Sequence, residues 1–498
     1  MCYLIIADKN NFIVNISRSR VINFLKYFPY YIILILFYFI LDGLTFFEHL
    51  INYSAAFYLL VLIIVIFGLL FVLIWKRTKN IRKAAIITFV LEIAYLFFAP
   101  IYDNVKALSF NYISYVFFLP LYVLAIFYLC HKLYIKRVFY SRITAYLNLT
   151  ILLIVIYQLW LLCQIRPLQN FVNPRYAEKF DTTKIAINSK QKPDIYLVVF
   201  DAYLNSKGLK EEFKYNSDLD DFLTANDFFV FSNTKSDYVF TQYSMSSVLN
   251  MNLIDVDRIE DKKNWNQAYT TYLRMINKNP VTEVLKKENY SFVNLSPFVL
   301  NDIAPAYYQP LQPSNKNLLL EKTLYNKLKQ DLTIEGFIEK YKLYFLYNFF
   351  EHPLKTYNNS TLKKCKEIIE QVPGASPQFV YTHFIMPHIP YFYDSTGRDV
   401  SPQNFLDNDK YLSYSVYCKN KIKEIVTMLR AKPNTIIILI SDHGPHLQHS
   451  GYRSIRRNLF SIYLPNKQYS GLNDSLSISN CFRIVFNKYF GQNFTLIQ

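Results

Sequence analysis

Two adjacent polar residues near the C-terminus, Asp442 and His443, directly follow an unbroken apolar run, Thr435–Ile440. A short run of β-branched and aliphatic residues predicts a central strand that is covered on both faces. Open α/β sheets bind ligands at the carboxyl ends of their strands, and a carboxylate and an imidazole are common metal ligands. This junction is therefore where we expect the chemistry of the chain to take place.

Two further predicted strands end in the same way. The run 195–200 ends on Asp201, and the run 378–382 leads into His383 and, five residues later, His388. A single Asp after a strand often caps the following loop or helix, which is the ordinary alternative for each strand taken alone. Three strand ends that carry a carboxylate or an imidazole are better explained by convergence on one metal ion.

A candidate nucleophile lies in the segment 237–250. Thr241 and Ser244 precede a stretch of small and apolar residues that favours a helix. A hydroxyl group at a helix N-terminus beside a divalent cation is activated, because both the helix dipole and the metal stabilise the alkoxide. The same residues also suit an ordinary helix cap, and the sequence alone leaves both interpretations open for Thr241.

Strand and helix patterns alternate around these residues from residue 193 onward. Helices are predicted over 217–226, 280–288, 360–371 and 411–429, and further strands over 228–232, 290–294 and 459–464. This alternation is typical of a mainly parallel sheet with helices on both faces. The preceding segment, 166–192, contains Pro167 and Pro174 and predicts a stalk.

The first 165 residues are of a different kind. Hydrophobic residues make up 52% of the whole chain, and their longest runs lie here. Five segments approach the roughly 20 residues that cross a bilayer, namely 23–41, 54–75, 82–101, 111–130 and 143–163. We therefore expect a transmembrane domain over 1–165, the stalk over 166–192 and a catalytic domain over 193–498. A transporter is disfavoured, since Glu92 is the one ionisable residue well inside a predicted span.

Basic residues fall in alternate loops of the apolar region. They precede the first predicted span and recur over 76–83 and 132–142, whereas the loops near 42–52 and 103–106 are poor in them. Because basic loops are retained in the cytoplasm, this pattern places the N-terminus inside and, with an odd number of spans, the catalytic domain outside. We expect a multi-pass protein of a bacterial cytoplasmic (inner) membrane with a periplasmic catalytic domain and an uncleaved signal anchor.

The charge of the chain bears on its partners. The formal net charge is +17, yet much of the basic excess lies in those loops and no nucleic-acid-binding motif is present. A basic outer domain is better matched to a membrane lipid and to an anionic glycan or lipid than to nucleic acid. Cys365, Cys418 and Cys481 are not closely spaced, so they predict neither a disulfide framework nor a zinc finger.

With these motifs in place, the sequence resembles the alkaline phosphatase superfamily, specifically the sulfatase-like branch that includes lipoteichoic acid synthases and lipid A phosphoethanolamine transferases. The resemblance covers residues 193–465 and the plan of N-terminal spans followed by an outward-facing catalytic domain. The matching residues are Asp201, the frame of Thr241, Ser244, Val248 and Leu249, His388 before Ile389 and Pro390, and the motif of Ser441, Asp442, His443 and Gly444.

The resemblance implies a set of site residues. One divalent ion, Mn²⁺ or Zn²⁺ with Mg²⁺ or Ca²⁺ as alternatives, would be held by Asp201, Thr241, Asp442 and His443. Thr241 would be the nucleophile, and His388 with His383 would bind the phosphoryl oxygens or protonate the leaving group. The expected substrate-binding residues also include Ser244, His446, His449 and Arg453. For the last three, a solvated loop is an equally good interpretation.

Two departures from the family pattern indicate which reaction is favoured. Sulfatases carry a Cys or Ser that is oxidised to formylglycine, whereas this chain has Thr241, which cannot form that aldehyde. The acidic pair at the end of the first strand is reduced to Asp201 followed by Ala202. Both departures favour transfer of a phosphoethanolamine- or phosphoglycerol-type group from a lipid donor to a cell-envelope lipid or glycan through a Thr ester. A hydrolase of sulfate or phosphate esters with the same site, and a non-catalytic envelope protein with a decayed site, are the alternatives.

Overall fold

The computed structural model describes residues 27–47, 51, 53–109, 113–135, 140–164, 192–257, 265–307, 318–331, 352–372, 374, 376–400, 407–447 and 452–497. The chain divides into two compact units, one made of Met1–Ile165 with Asn315–Thr333 and the other of Arg166–Ser314 with Ile334–Gln498. All but the last residue of the predicted stalk, and the basic residues expected before the first span, lie outside the described residues.

Apolar helices build the first unit. They are α1 (Tyr31–Phe46), α2 (Tyr53–Thr78), α3 (Ile81–Leu96), α4 (Phe98–Leu108), α5 (Tyr115–Ile135) and α6 (Tyr140–Cys163). Asn148 of α6 fixes the start of α1, because its side chain accepts a hydrogen bond from the backbone N–H of Tyr31 (3.1 Å) and donates one to the carbonyl of Phe28 (2.8 Å). Many large apolar side chains of α2, α5 and α6 are exposed, as expected of helices that face lipid. The chain is a membrane protein.

The number of spans is lower than expected. Three helices are long and apolar enough to cross a membrane, Tyr53–Thr78, Phe117–Ile135 and Tyr140–Cys163, and α3 with α4, bent by 66°, adds a fourth if the pair is one broken span. The first helix, α1, has only 16 residues and covers about 24 Å of a hydrocarbon core roughly 30 Å thick. The prediction of five spans is too high for the described part of the chain, which holds three or four by length and composition.

A six-stranded sheet forms the centre of the second unit, in the order β2-β6-β5-β1-β4-β3. Its strands are β1 (Asp194–Phe200), β2 (Phe229–Val230), β3 (Ser291–Leu295), β4 (Gln378–Phe384), β5 (Thr435–Ile440) and β6 (Phe460–Tyr463). The middle strand β1 pairs in parallel with both β4 and β5, and β3 continues the parallel part, whereas β6 and β2 run antiparallel to their neighbours. The predicted mainly parallel sheet is confirmed. The three strands that end in candidate ligands are direct neighbours.

Helices cover both faces of this sheet. The helices of the second unit are α7 (Ser206–Phe213), α8 (Leu219–Ala225), α9 (Thr241–Asn250), α10 (Trp265–Asn277), α11 (Pro280–Lys287), α13 (Pro353–Glu370), α14 (Asn408–Arg430), α15 (Tyr452–Ile455) and α16 (Cys481–Tyr489). The helix between α11 and α13, α12 (Leu324–Asp331), belongs to the first unit. One face packs against α9, α11 and α16, and the other against α13 and α14.

Side chains alternate between the two faces of the sheet along each strand, and this determines the face on which the candidate site lies. Ile195, Leu197 and Val199 of β1 belong to the core on the α9 side, as do Phe379 and Tyr381 of β4 and Ile436, Ile438 and Ile440 of β5. Because side chains alternate along a strand, positions 201, 383 and 442 continue these rows. The fold therefore directs three polar residues from adjacent strands to the face that also carries Thr241.

The short helix α12 and the residues before it, described from 318 onward, belong to the first unit. Leu318 and Leu319 are buried, and Leu324 and Leu328 pack against the cluster of Phe98, Tyr102 and Phe118. In the sequence, nothing sets this segment apart from the rest of the region after residue 193.

Candidate functional site

Asp201, Asp442 and His443 meet where β1 and β5 end. One potential ligand atom from each lies within 4.8 Å of the other two. His443 Nε2 is 3.5 Å from Asp442 Oδ2 and 3.8 Å from Asp201 Oδ1. All three side chains are buried. The structure thus brings together three of the four residues expected to bind a metal.

The two oxygens of the Asp442 carboxylate have different surroundings. Oδ1 accepts hydrogen bonds from the backbone N–H groups of Ala202 (3.1 Å) and His443 (2.9 Å). Oδ2 has no hydrogen-bond partner among the described residues, and neither has Oδ1 of Asp201. Buried carboxylate oxygens without donors are costly unless a cation or a proton lies between them.

Ala202 adopts a left-handed conformation, with φ of 62°. Such a conformation is strained for a residue with a Cβ atom. The chain leaves the strand direction at this residue, and the N–H of Ala202 donates to Asp442 Oδ1. The residue that the sequence analysis noted as a missing second acid therefore contributes its backbone to the site.

The imidazole of His443 is oriented by its own loop. Its Nδ1 lies 2.7 Å from the carbonyl oxygen of Gly444, so in the neutral ring Nδ1 carries the proton and Nε2 offers a lone pair. Nε2 faces both free carboxylate oxygens and lies 3.4 Å from Thr241 Oγ1. A lone pair directed at carboxylate oxygens is favourable only with a positive charge between them.

These distances test whether a metal ion fits. Ligands of a tetrahedral ion with bonds of about 2.1 Å lie about 3.4 Å apart, and the three separations from His443 Nε2 are 3.4, 3.5 and 3.8 Å. Two carboxylates, one imidazole and one hydroxyl are a donor set suited to Zn²⁺ or Mn²⁺. The residues present fit a small divalent ion.

The two carboxylates influence each other strongly. Burial and the neighbouring Asp442 carboxylate raise the pKa of Asp201 well above its usual value. Burial acts in the same direction on Asp442, but the nearby His443 and His383 and the proximity of the Thr241 hydroxyl outweigh it and lower the pKa of Asp442. The pair therefore attracts positive charge to the space between the two side chains.

Thr241 is the first residue of α9. Met245, Val248 and Leu249 of this helix are buried in the core on that face of the sheet, and this packing points the N-terminus of α9 toward the strand ends. No side chain caps this end of the helix, so the Thr241 hydroxyl lies at the positive end of the helix dipole. The structure places Thr241 beside the three buried candidate ligands.

The two histidines expected to handle the substrate differ in accessibility. His383 is fully buried; its Nδ1 lies 3.0 Å from the Tyr381 hydroxyl and its Nε2 has no hydrogen-bond partner among the described residues. Burial lowers the pKa of His383 to about 4. His388 is partly exposed, with Nδ1 2.6 Å from the carbonyl of Ile389, and burial lowers its pKa as well. Both rings are therefore neutral near pH 7. Both are also close enough to Asp442 for its carboxylate to act in the opposite direction and raise their pKa values slightly.

The remaining predicted substrate residues have varied positions. Ser244 is buried, and its hydroxyl lies 3.4 Å from that of Ser236, a location that supports positioning of the site more than contact with substrate. His446 is exposed beside the site, with Nε2 3.2 Å from the carbonyl of Val239 and its ring 5.5 Å from that of His443. His449 lies outside the described residues. Arg453 lies in α15, and its side chain is likewise outside them.

The sequence predicted no role for the residues that hold the candidate ligands in place. Ser236 donates to the carbonyl of Asp442 (2.7 Å), and Ser441 donates to the carbonyl of His443 (2.5 Å) while accepting from the N–H of Tyr203 (2.9 Å). For Ser441, its place directly before Asp442 and His443 is a usable signal. Ser236 has none, because it acts on a residue 206 positions away. Tyr381 lies two residues before His383 on β4, but tyrosine is too frequent in this sequence for that spacing to single it out.

Comparisons with known proteins agree with this geometry. The Sulfatase family matches residues 200–469, more than half of the chain. No curated protein matches the sequence.

Among the similar solved structures is the C-terminal periplasmic domain of EcEptC from Escherichia coli in complex with Zn, at 12% identity over 62% of this chain and 86% of that chain, with a TM-score of 0.40. The integral membrane lipooligosaccharide phosphoethanolamine transferase A from Neisseria meningitidis has 14% identity over 91% of this chain and 94% of that chain, with a TM-score of 0.34. A putative sulfatase from Bacteroides thetaiotaomicron has 12% identity over 61% of this chain and 72% of that chain, with a TM-score of 0.37. These overall scores are low, so the assignment rests on the family match and on the motifs of the chain itself. The chain belongs to the sulfatase family of the alkaline phosphatase superfamily and is a sulfatase-like enzyme of the transferase and hydrolase group.

Proposed function

We propose that this protein is a membrane-anchored, metal-dependent transferase. It moves a phosphoethanolamine- or phosphoglycerol-type group from a lipid donor to a cell-envelope lipid or glycan, and it holds the group on Thr241 between the two steps. The observation that carries the proposal is the position of the Thr241 hydroxyl. It lies at a helix N-terminus, 3.4 Å from His443 Nε2 and beside two buried carboxylates whose facing oxygens have no donor.

Asp201, Thr241, Asp442 and His443 are the residues that would hold the metal, Mn²⁺ or Zn²⁺. When bound there, such an ion supplies Lewis-acid chemistry, which makes an alcohol more acidic and polarises a phosphoryl oxygen. The backbone N–H groups on Asp442 Oδ1 and the Gly444 carbonyl on His443 Nδ1 keep both side chains in the required orientation.

In the first step, Thr241 Oγ1 forms a bond to phosphorus while the bond from phosphorus to the oxygen of the lipid leaving group breaks. The proton of Thr241 passes to a neutral imidazole and from there to the leaving oxygen. His388 suits this role, because burial lowers its pKa and its Nδ1 proton is held by the carbonyl of Ile389, which leaves Nε2 as the acceptor. In the second step an acceptor hydroxyl attacks the same phosphorus and the bond from phosphorus to Thr241 Oγ1 breaks, while the imidazole takes the proton of the acceptor and returns one to Thr241.

The choice of Thr also favours phosphoryl transfer over sulfate hydrolysis. A Thr hydroxyl can form a phosphodiester with the substrate, whereas it cannot supply the aldehyde hydrate on which sulfatases depend. The apolar helices place the enzyme in a membrane, where a lipid donor is at hand. We propose a bacterial inner-membrane location with the catalytic domain in the periplasm.

Intact-mass analysis of the purified full-length protein, incubated with phosphatidylethanolamine or phosphatidylglycerol vesicles and Mn²⁺ or Zn²⁺, tests the proposal. We expect an adduct on Thr241 with the mass of phosphoethanolamine or phosphoglycerol. Thr241→Ala should abolish the adduct and the transfer while retaining weakened metal binding. Thr241→Ser should keep part of the activity, because the attacking oxygen is retained and only the methyl group that restricts its rotamer is lost.

Thr224→Ala is the matched control, since Thr224 is an exposed threonine of α8 whose hydroxyl donates to the carbonyl of Asp220. It should keep the adduct on Thr241. Turnover of lipid or aryl phosphodiester by the Thr241→Ala protein at the wild-type rate would exclude Thr241 as the nucleophile, and would indicate hydrolysis by water at the same site.

A further inference from the structure

The apolar helices of the first unit enclose an acidic side chain that the proposed function does not use. Glu92 of α3 is 1% exposed, and its Oε2 atom has no hydrogen-bond partner among the described residues. Within the same part of the chain, no basic side chain compensates its charge. Ionisable groups inside a membrane bundle are costly and mark functional sites by default, so Glu92 requires a partner of another kind.

Three hydroxyl groups are buried in the same way. Tyr31 of α1, Thr88 of α3 and Thr144 of α6 are fully buried, and their hydroxyl oxygens have no hydrogen-bond partner in the described part of the chain. A threonine within a helix commonly donates to the carbonyl four residues earlier, as Thr45 of α1 does at 2.8 Å. Thr88 and Thr144 make no such bond, which leaves their hydroxyls free for a ligand.

The packing of three helices brings these oxygens together. The helix α1 packs against both α3 and α6, and α3 also packs against α6. The ring of Tyr31 lies edge-on to Phe89 of α3, with centroids 5.2 Å apart, and the Tyr31 hydroxyl is close to the side chains of Thr144 and Glu92. Thr88 lies one turn before Glu92 and therefore shares its helix face. The four oxygens thus belong to one interior region where the three helices meet.

The chemistry of this region favours a small cation. Its unpartnered groups are a carboxylate and three hydroxyls, and oxygen ligands of this kind suit hard metal ions. One carboxylate balances one positive charge, so a monovalent ion leaves the region neutral, whereas a divalent ion would leave a net charge inside an apolar bundle. A proton on Glu92 would also give neutrality, but it adds only one donor for three hydroxyl oxygens.

We propose that Glu92, Tyr31, Thr88 and Thr144 bind a Na⁺ ion where α1, α3 and α6 meet, and that this ion holds the three helices together. The site is separate from Asp201, Thr241, Asp442 and His443, which belong to the second unit. The inference does not depend on the transfer reaction, and it stands or falls without a measurement of activity.

Thermal unfolding of the full-length protein in detergent micelles, with EDTA present, tests the proposal. Trp265→Phe removes one of three tryptophans and leaves Trp75 of α2 and Trp160 of α6, so that the fluorescence change reports the first unit. At equal ionic strength, NaCl should raise the midpoint by about 5 °C over choline chloride, because an ion that binds the folded form stabilises it.

Two variants in this background locate the ion. Glu92→Gln keeps the shape of the side chain and removes its charge, so the difference between the two salts should disappear. Thr144→Val removes a single oxygen and should shift the titration to higher Na⁺ concentrations. Thr45→Val is the matched control, because the Thr45 hydroxyl bonds to its own helix, and it should respond to Na⁺ as the parent protein does.

Binding of radiolabelled Na⁺ gives a direct second measurement, with one ion bound per parent chain and none to Glu92→Gln. Equal midpoints of the parent protein in the two salts, or a Na⁺ response retained by Glu92→Gln, would overturn the proposal. A midpoint that depends on pH but not on Na⁺ would also overturn it and would assign a proton to the site. If Glu92→Gln does not fold, Thr144→Val decides, and an unchanged Na⁺ titration in that variant counts against the site.

Discussion

At the scale of single residues, the two oxygens of the buried Asp442 carboxylate have separate roles, which suit this side chain to the proposed metal site. Two N–H groups hold one oxygen and leave the other directed at His443 Nε2. The side chain therefore keeps its orientation without a bound ion, and part of the ordering that metal binding demands is already present in the fold.

Asp442→Asn separates these two roles. The amide oxygen can still accept from Ala202 and His443, but the negative charge is lost. We expect the affinity for Mn²⁺ or Zn²⁺ to fall about 10- to 100-fold or more, with little change in the thermal midpoint of the metal-free protein. Isothermal titration calorimetry after EDTA treatment measures the affinity, and Asp394→Asn in an exposed loop is the control. Unchanged affinity would contradict the assignment of Asp442 as a ligand.

Residues of this kind could be predicted only where their signal is local. Asp201 and Asp442 each end a run of apolar residues, and the rule that strand ends carry function needs no knowledge of the partners. Ser236 acts on the backbone carbonyl of Asp442 from a distant part of the chain, and Tyr381 acts on His383 from two residues away. Serine and tyrosine are frequent in this sequence, so no spacing distinguishes these two from the others.

At the scale of elements, the loop after β5 is held by an unusually close backbone approach. A Cβ atom on Gly444 would lie 2.1 Å from the carbonyl oxygen of Ser454, and the N–H of Gly444 donates to the carbonyl of Ile455. The loop that carries His443 is thereby fixed against α15.

Gly444→Ala should therefore destabilise the protein by more than about 3 kcal/mol, because the backbone has to move to admit the methyl group. The displacement also shifts His443, so metal affinity should fall together with the thermal midpoint. Differential scanning calorimetry measures the loss, with Gly374→Ala as a control, since a Cβ atom there meets nothing within 4 Å. Equal midpoints for the two variants would show that the loop adapts easily.

The start of α13 makes a pH-dependent contribution to stability. His352 caps this helix by accepting the N–H of Leu354 (3.2 Å), and burial lowers the pKa of His352 to about 4. In the unfolded chain the pKa returns to about 6.5. The folded form thus binds the proton less readily than the unfolded chain. The contribution of His352 to the free energy of unfolding is complete above about pH 6.5 and is lost as the pH falls from there toward 4.

His352→Asn tests this contribution, since Asn is a good helix cap that does not titrate. We expect the variant to lose less stability than the wild-type protein between pH 7 and pH 5. Apparent melting temperatures of both proteins at the two pH values give the comparison. The same decrease in both would mean that other groups cause the acid sensitivity.

At the scale of the whole molecule, the side of the membrane that the catalytic domain faces can be predicted without the short helix α1. The side of the N-terminus depends on whether α1 crosses the membrane. Basic residues in the last turns of α2 and α5 predict that both ends are cytoplasmic. The passage from α2 through the bent pair α3 and α4 to α5 then fits one outward and one inward crossing, and α6 leads outward. The number of crossings that precede α2 does not affect this result.

A reporter fused after residue 170 should therefore be active only in the periplasm, whereas one fused after Lys79 should be active only in the cytoplasm. Alkaline phosphatase and green fluorescent protein fusions measure the two sides. Cytoplasmic activity at residue 170 would contradict the topology and, with it, the proposed envelope substrates.

The global architecture was only partly predictable. The sequence separates the apolar helices from the α/β domain, because the first part has long apolar runs and the second has alternating strand and helix patterns. The break between α3 and α4 and the packing of 318–331 against the apolar helices follow from contacts between remote segments of the first unit, and neither leaves a periodic signal. The count of five spans failed for this reason, since it relied on the length of apolar runs.

The chain passes from one unit to the other three times, after Ile165, after Ser314 and after Thr333, and this has a practical consequence for producing the enzyme. A truncated protein that begins at residue 193 would retain Leu318, Leu319, Leu324 and Leu328 but would lack the helices that cover them. These four leucine side chains would then form an apolar surface exposed to water, which favours aggregation. A soluble fragment of this enzyme therefore requires two cuts, one that removes the apolar helices and one that replaces residues 315–333 with a short polar linker.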